Sequence, residues 1–447
     1  MGSHAFWFVD VEQHGKLSVT DMNIKEELQS ILRGEVEDSA NVLQEYSRDA
    51  SLFEVRPKLV VYPKDTKDIQ ELVGFVASHP MERLSITCRS AGTDMTGGPL
   101  GESIVVDMSR HFTKLQKVGK DYAVVQPGML YGDFEKETAK HNLLLPSYPA
   151  SKDICTVGGM VANNAGGEKT LHYGKTEEYV KELKVVFADG KEYVVRKLSA
   201  EELQEKILQQ DFEGAVYRNI FQLVKENRDL LLRAKPKVSK NSAGYYLWNV
   251  WDGKVFDLPK LLAGSQGTLG IITEITFRLV VPKKHSTLLV LFLYDFAPLA
   301  KLTQKLLEHK PESLESYDNN TLQFALVHIP DFVKILKGNI LSLAFQFAPE
   351  FWMFLRGGLR LPKLVVLAEF TGDSEKEIYQ KAKKARDSLN EFQLQTRIAK
   401  SDKEEMKYLT VRRQSFNLLR HHTRGKRTAP FIDDLIVPPS VLPEFLP

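Results

Sequence analysis

Cysteine is scarce in this chain, and its scarcity excludes two kinds of architecture. The 447 residues include only Cys88 and Cys155. Neither a disulfide framework nor an iron–sulfur cluster held by four thiolates can therefore form within the chain. A chain of this length buries a large core without disulfides. A reducing, cytoplasmic setting is the simplest prediction.

An excess of one charge and a long hydrophobic run are also missing. The 60 basic and 58 acidic residues give a net charge of +2, so nothing predicts a nucleic-acid partner. The longest apolar-biased stretch, residues 340–355, is interrupted by Pro349 and Glu350. It is also shorter than the roughly 20 residues that span a bilayer. We interpret it as a buried helix, with peripheral attachment to the inner face of the membrane as the alternative.

Short β-rich runs, helical segments and glycine turns alternate along the rest of the chain. We expect a helical lead-in at residues 1–56, a first domain at 57–282 and a second at 283–447. In the second domain, two strands are each followed by a helical segment, which predicts an α+β, ferredoxin-like fold. Because the pattern stops abruptly at Pro447, we expect this domain to be incomplete.

The first motif that indicates chemistry lies between two predicted strands, at residues 89–98. Its small residues let successive backbone amides converge on an anion. Thr93 and Thr96 add hydroxyl groups, and Arg89 adds charge or orders the turn. A long hairpin loop without a ligand would have the same pattern.

Two further glycine-rich motifs follow at residues 146–167 and 262–274. Gly158 and Gly159 begin a segment that a flat ligand can approach closely, and Asn163 offers hydrogen bonds. The later motif has glycines at every third position, which differs from the G-x-G-x-x-G fingerprint of a Rossmann dinucleotide site. A nicotinamide–Rossmann interpretation is therefore rejected.

Taken in order, the three motifs resemble the FAD-binding domain of the vanillyl-alcohol oxidase/p-cresol methylhydroxylase (PCMH) flavoprotein superfamily. Within it, they look most like the FAD-linked D-lactate, glycolate and D-2-hydroxyglutarate dehydrogenases. Residues 125–128, 173–176 and 240–245 support the resemblance, which extends from about residue 52 to residue 446. It implies a PCMH-type FAD-binding domain at 57–282 and an FAD-linked oxidase C-terminal domain, the cap that supplies the substrate site, at 283–447.

The resemblance also implies which residues hold FAD. The segment from Ser90 to Thr96 would cradle the pyrophosphate, residues of the second motif would line the path of the adenine, ribityl and flavin groups, and the third motif would pass close by. Some relatives attach FAD covalently through a histidine where this chain has Thr93, so non-covalent binding is expected. The expected cofactor residues are Arg89, Ser90, Ala91, Gly92, Thr93, Asp94, Thr96, Gly97, Pro146, Ser151, Thr156, Gly158, Gly159, Asn163, Gly267, Gly270 and Ile272.

The activity implied by the resemblance is FAD-dependent oxidation of a small D-2-hydroxy acid, D-lactate or glycolate first, by hydride transfer to flavin N5. Arg412 would bind the substrate carboxylate through its bidentate fork, with Arg413 as the second choice. Both could equally be surface charges on a helix. The family's metal-binding histidines lie beyond Pro447, so no metal site is predicted. A quinone or a redox protein would accept the electrons. Alternatively, the chain is an FAD-binding subunit or a truncated product that needs a partner chain.

Overall fold

A computed structural model of the protein describes residues 24–238, 240–328, 360–399, 401–422 and 435–445. These residues form three β-sheets with helices packed against them. The strands are β1 (Glu35–Glu37), β2 (Leu59–Tyr62), β3 (Ile86–Arg89), β4 (Ile104–Asp107), β5 (Leu115–Val118), β6 (Tyr122–Val125), β7 (Val180–Val186), β8 (Glu192–Ser199), β9 (Val255–Asp257), β10 (Ile271–Arg278), β11 (His285–Leu293), β12 (Ser313–Asp318), β13 (Leu364–Gly372) and β14 (Gln395–Ile398). The helices are α1 (Ile24–Ile31), α2 (Ala40–Tyr46), α3 (Thr66–Ser78), α4 (Tyr131–Ala139), α5 (Val157–Ala162), α6 (Thr170–Tyr173), α7 (Ala200–Leu208), α8 (Phe212–Glu226), α9 (Arg228–Ala234), α10 (Pro259–Leu262), α11 (Leu299–Glu308), α12 (Asn319–Val327), α13 (Glu375–Ser388), α14 (Asp402–His422) and α15 (Leu442–Phe445).

The first sheet has the order β1-β2-β4-β3, with β2, β4 and β3 parallel and β1 antiparallel to β2. Its edge strand β1 comes from within the predicted lead-in. The side chain of Asp65 caps α3 by accepting from the backbone amide of Lys67 at 3.0 Å. Ile69 and Leu72 of α3 are fully buried in the core of this sheet. The first glycine-rich motif leaves from the end of β3.

The second sheet has six strands in the order β5-β6-β10-β7-β8-β9, all antiparallel. The sequence predicts the β7–β8 hairpin from its Ala-Asp-Gly-Lys turn, and Gly190 adopts a φ of 75° there. The third motif leads directly into β10, the strand between β6 and β7. This arrangement places the first and third motifs at the junction of the two sheets.

The third sheet has the order β12-β13-β11-β14, and every pairing is antiparallel. Helices α11 and α13 cover one face through Leu302, Leu306 and Ala382, and α12 and α14 pack against the other. The strand order and the helices α11 and α13 match the β-α-β-β-α-β pattern of a ferredoxin-like fold, with α12 added between β12 and β13. The ferredoxin-like α+β fold predicted for the second half is confirmed.

No helix among the described ranges is long and apolar enough to cross a membrane. Residues 340–355, interpreted above as a buried helix, lie outside those ranges.

Candidate cofactor-binding site

The three glycine-rich motifs meet around one partly open cavity with about 980 Å³ of empty space. This figure includes space that is open to solvent, so it is an upper limit on the volume of the site. The expected cofactor residues that line it are Arg89, Ser90, Ala91, Gly92, Thr93, Asp94, Ser151, Thr156, Gly158, Gly159, Asn163, Gly267, Gly270 and Ile272.

The loop after β3 presents free backbone donors to this cavity. The amides of Ala91, Gly92 and Thr93 donate no hydrogen bond to another described residue. The Asp94 carboxylate is occupied within the loop, where it accepts from the Gly98 amide at 2.7 Å and the Thr96 hydroxyl at 2.8 Å. The Thr96 hydroxyl therefore braces the loop, in contrast to its expected role as a ligand donor.

Arg89 orders this loop through hydrogen bonds to the end of α2 and the residues that follow it. Its guanidinium donates to the backbone carbonyls of Tyr46 at 3.2 Å and Arg48 at 2.7 Å. A Cβ added to Gly92, which has a φ of 63°, would lie 2.6 Å from the Arg89 Nη2 atom. The sequence leaves two roles open for Arg89: it adds charge or it orders the turn. These contacts are those of a residue that orders the turn.

The second motif supplies the opposite wall through α5. The Thr156 hydroxyl caps this short helix by accepting from the Gly159 amide at 3.1 Å. Gly158 packs against Pro127, because a Cβ there would lie 2.4 Å from the Pro127 Cβ. A Cβ on Gly159 would lie 3.3 Å from the Thr156 hydroxyl oxygen and 3.9 Å from the Ser90 Cβ. All three residues line the cavity, so this glycine leaves room between the first and second motifs.

The third motif is tied to the second by backbone hydrogen bonds. The amides of Gly264 and Gln266 donate to Val161 and Ala162 at 2.9 and 2.8 Å. Two thiols, Cys88 and Cys155, line the cavity beside these segments. Burial raises the pKa of both to about 12, so the wall carries neutral thiols at physiological pH.

The supporting motifs also converge in space. Lys175 is almost completely buried and donates to the Asn241 carbonyl, to the Ser242 hydroxyl at 2.7 Å and to the Tyr246 hydroxyl at 3.3 Å. Burial lowers its pKa to about 8. Tyr245 in turn hydrogen bonds Thr268 of the third motif at 2.7 Å.

The two arginines expected at the substrate both form ion pairs. Arg412 Nε lies 2.9 Å from Glu315, and its side chain is 44% exposed. Arg413 binds both oxygens of Glu168, at 2.6 and 2.9 Å. Burial raises the pKa of the Glu315 carboxyl in spite of Arg412. Neither arginine is among the residues that line the cavity.

Some expected residues lie off the cavity, and some cavity residues were not expected. Thr96, Gly97 and Pro146 do not line it; Gly97 packs against Phe53 and Pro146 is buried. The additional lining residues are Cys88, Gly98, Pro99, Met108, Pro127, Pro149, Cys155, Met160, Ala162, Ala165, Gln266 and Ile271. Several of these residues directly flank an expected residue in the sequence. Met108 does not, and no sequence motif marks it; it lines the cavity because it follows β4, which pairs with β3.

Two family models match separate parts of the chain. The FAD binding domain family matches residues 57–196, and the FAD linked oxidases C-terminal domain family matches residues 282–447. A D-2-hydroxyglutarate dehydrogenase of Pseudomonas putida is 25% identical over 422 residues, which are 93% of this chain and 40% of that protein. Glycolate oxidase subunit GlcD of Bacillus subtilis is 29% identical over 308 residues, 67% of this chain and 54% of that protein.

Solved structures share the fold. An alkyldihydroxyacetonephosphate synthase superposes with a TM-score of 0.61 at 17% identity, over 89% of this chain and 63% of that one. The fold and the cavity together define a two-domain flavoprotein of the PCMH type. The chain belongs to the FAD-linked oxidase family. It spans 40% of the length of the Pseudomonas relative and 54% of the length of the Bacillus relative.

The residues around the cavity suit FAD, the cofactor of this family. Ala91, Gly92 and Thr93 offer amides without partners in the described chain, which is what a pyrophosphate requires. Gly159 leaves space that a side chain would fill. The remaining wall is made mainly of small and apolar side chains, which suit a flat ring system.

Proposed function

We propose that this chain binds FAD non-covalently and oxidises a small D-2-hydroxy acid. The observation that carries the proposal is the convergence of all three glycine-rich motifs on one cavity. The names of the relatives support the substrate class, since both D-2-hydroxyglutarate and glycolate are 2-hydroxy acids. D-Lactate and glycolate are the substrates we favour.

Each side of the cavity has a defined task in this proposal. The amides of residues 91–93 bind the pyrophosphate, Gly159 allows close approach of the ring system, and Thr93 provides no covalent attachment. When bound, FAD supplies a two-electron acceptor for the hydride that leaves the substrate α-carbon. The domain at 57–282 holds this cofactor, and the domain at 283–447 covers it and supplies the substrate site.

Arg412 is our candidate for the substrate carboxylate. A guanidinium binds a carboxylate through two parallel hydrogen bonds, and the side chain of Arg412 keeps 44% exposure beside Glu315. Arg413 is the less suitable of the two, because Glu168 occupies its fork in a bidentate pair. We further propose a cytoplasmic location, with a quinone or a redox protein as electron acceptor.

The first experiment is an anaerobic visible spectrum of the purified chain, loaded with FAD, before and after addition of D-lactate, glycolate or D-2-hydroxyglutarate. Bleaching of the oxidised-flavin band by one of them, with L-lactate as the enantiomeric control, is the expected result. Absence of a flavin band after reconstitution would contradict the cofactor assignment.

The second candidate function is an FAD-binding subunit that needs a partner chain. The Bacillus relative is a subunit of glycolate oxidase, which favours this candidate. A flavin band that no 2-hydroxy acid bleaches in the isolated chain would support this candidate over independent catalysis.

A further inference from the structure

Two adjacent residues of opposite charge follow the wall of the FAD cavity. Asn163 and Ala165 line that cavity, and Glu168 and Lys169 come a few residues later on the same segment. Both side chains point away from their own domain and form ion pairs with the second one. This segment therefore connects the cofactor cavity directly to the domain that covers it.

Glu168 forms the first ion pair, with Arg413 of α14. The two parallel N–H···O contacts measure 2.6 and 2.9 Å, and the Tyr148 hydroxyl donates to the same carboxylate at 3.0 Å. The Glu168 side chain is 16% exposed and that of Arg413 is 39% exposed. Burial alone would raise the pKa of the Glu168 carboxyl, but Arg413 outweighs it and the pKa falls.

Lys169 forms the second ion pair, with Glu312 at the start of β12. The Glu312 side chain is only 3% exposed and that of Lys169 is 18% exposed. Glu312 also accepts hydrogen bonds from the hydroxyls of Tyr173 and Thr371. Three donors thus surround one buried carboxylate, two of them from the FAD-binding half and one from β13.

Ordinary surface salt bridges contribute little. The Lys169–Glu312 pair differs from them because its carboxylate is buried, and the Glu168–Arg413 pair differs because it is bidentate and its carboxylate is 16% exposed. Removing one partner from a buried pair leaves a charge without compensation, which is strongly unfavourable. The pairs also reach different elements of the second domain, α14 and β12. One contact site of the second domain requires an acidic partner and the other requires a basic partner. Together the two ion pairs define the orientation of the second domain, which a single contact would not.

We propose that Glu168 and Lys169 are positioning residues that fix the second domain over the FAD cavity. This deepens the proposed function, since it names the contacts that would hold the substrate domain against the cofactor. The order of the charges disfavours a shifted docking, because a displacement that put Glu168 near Glu312, or Lys169 near Arg413, would juxtapose like charges.

Charge exchange tests the first pair. Glu168→Arg and Arg413→Glu each place like charges together, and the double variant restores an opposite pair. The readout is the rate at which the lysine-specific protease Lys-C cleaves after Lys283 or Lys284 in the connection between the domains, where Val281 is 63% exposed. Lys-C is chosen because an introduced arginine creates no site for it.

We expect each single variant to be cleaved there about tenfold faster than the unmodified chain, and the double variant within about twofold of it. Lys169→Glu, Glu312→Arg and their double variant should behave in the same way. Glu137→Arg is the control, because Glu137 pairs with Lys140 on the surface of α4 at 45% exposure. Its cleavage rate should not change. Far-ultraviolet circular dichroism confirms that each variant is folded.

Cleavage of the single variants at the unmodified rate, or a double variant as fast as the singles, would overturn the proposal. Flavin reduction is measured in parallel, and kcat should fall about tenfold in the singles and recover in the doubles. If no 2-hydroxy acid reduces the flavin, the proposed function fails, whereas the cleavage rates still decide the role of Glu168 and Lys169.

Discussion

Gly158 and Gly159 are neighbours in α5 but have different surroundings. Substitutions at these two positions can therefore distinguish an effect on folding from an effect on cofactor binding. A Cβ at Gly158 would lie 2.4 Å from the Pro127 Cβ and 2.6 Å from the Pro127 carbonyl oxygen. At Gly159 the nearest atom, the Thr156 hydroxyl oxygen, would be 3.3 Å away. Gly158 is therefore required by packing, whereas Gly159 keeps space free in the cavity.

We expect Gly158→Ala to lower the free energy of unfolding by about 1–3 kcal/mol, because the extra methyl group overpacks the contact with Pro127. Gly159→Val should raise the Kd for FAD at least about tenfold, since the side chain enters the cavity, and should also lower stability because its Cβ lies 3.3 Å from the Thr156 hydroxyl that caps α5. Denaturant unfolding and flavin fluorescence measure the two effects. Gly74→Ala in α3, with no atom within 4 Å, is the control and should be neutral or slightly stabilising. Equal FAD binding in Gly159→Val and the unmodified chain would contradict the assignment of the site.

Lys175 gives a pH dependence whose sign follows from its burial. Its pKa falls to about 8 through burial, opposed by Glu177 and reinforced by Lys240, whereas an unfolded lysine titrates near 10.4. Between these values the unfolded chain binds the extra proton, so stability rises with pH. The destabilising contribution is complete below about pH 8 and is lost as the pH approaches the unfolded value.

Lys175→Met should remove this dependence. From about pH 7.5 to about pH 9.5, the free energy of unfolding of the unmodified chain should rise relative to the variant by about 1 kcal/mol, after allowance for screening. Urea unfolding at a series of pH values measures the difference. Parallel curves for the two proteins would show that Lys175 does not titrate in this range.

At the scale of elements, α2 supports the loop that follows β3. The Tyr46 and Arg48 carbonyls at its end accept from Arg89, and the Ala50 amide donates to the Gly92 carbonyl at 3.1 Å. Tyr46, Arg48 and Ala50 all precede position 57, so part of the expected helical lead-in helps to shape the cofactor loop.

Arg89→Lys tests this support. A lysine keeps the charge but has one nitrogen and no planar fork, so it cannot reach both carbonyls from the two separate positions that Nη1 and Nη2 of Arg89 occupy. We expect the free energy of unfolding to fall by about 1–3 kcal/mol and the Kd for FAD to rise severalfold. Arg196→Lys is the control, because Arg196 forms a surface pair with Glu202 at 46% and 42% exposure, and its effect should stay within about 0.5 kcal/mol. A change confined to stability, with FAD binding unaltered, would show that the loop keeps its shape without Arg89.

The sequence predicts elements well where a local signal and the tertiary environment agree. Asp65 before an amphipathic run predicts α3, and the Ala-Asp-Gly-Lys turn predicts the β7–β8 hairpin. Strand β12, with the sequence Ser-Leu-Glu-Ser-Tyr-Asp, was not predicted. It has three polar or charged side chains among its first four residues, and only its pairing with β13 makes it a strand.

In the candidate site, too, some residues follow from local sequence motifs and others depend on the tertiary structure. Resemblance places the three glycine-rich motifs together, and the structure brings most of their expected residues to one cavity. Met108 is part of that cavity only because β4 lies beside β3. Arg89 likewise bonds carbonyls more than 40 residues away in sequence, and no spacing rule connects such residues before the chain is folded.

At the scale of the whole molecule, FAD binding and domain docking should be linked. A ligand that binds only the folded chain stabilises it, by about 2.7 kcal/mol at a concentration 100 times its Kd. The stabilisation reaches the second domain only if that domain unfolds together with the first. The ion pairs of Glu168 with Arg413 and of Lys169 with Glu312 provide that link.

We therefore expect the unmodified chain to unfold in one calorimetric transition that moves to higher temperature when FAD is added. In Arg413→Glu the like charges separate the domains, and two transitions should appear, of which only that of the FAD-binding domain responds to FAD. Differential scanning calorimetry of both proteins with and without FAD measures this. Two independent transitions already in the unmodified chain, with only one shifted by FAD, would mean that the ion pairs position the second domain without coupling its stability to the cofactor.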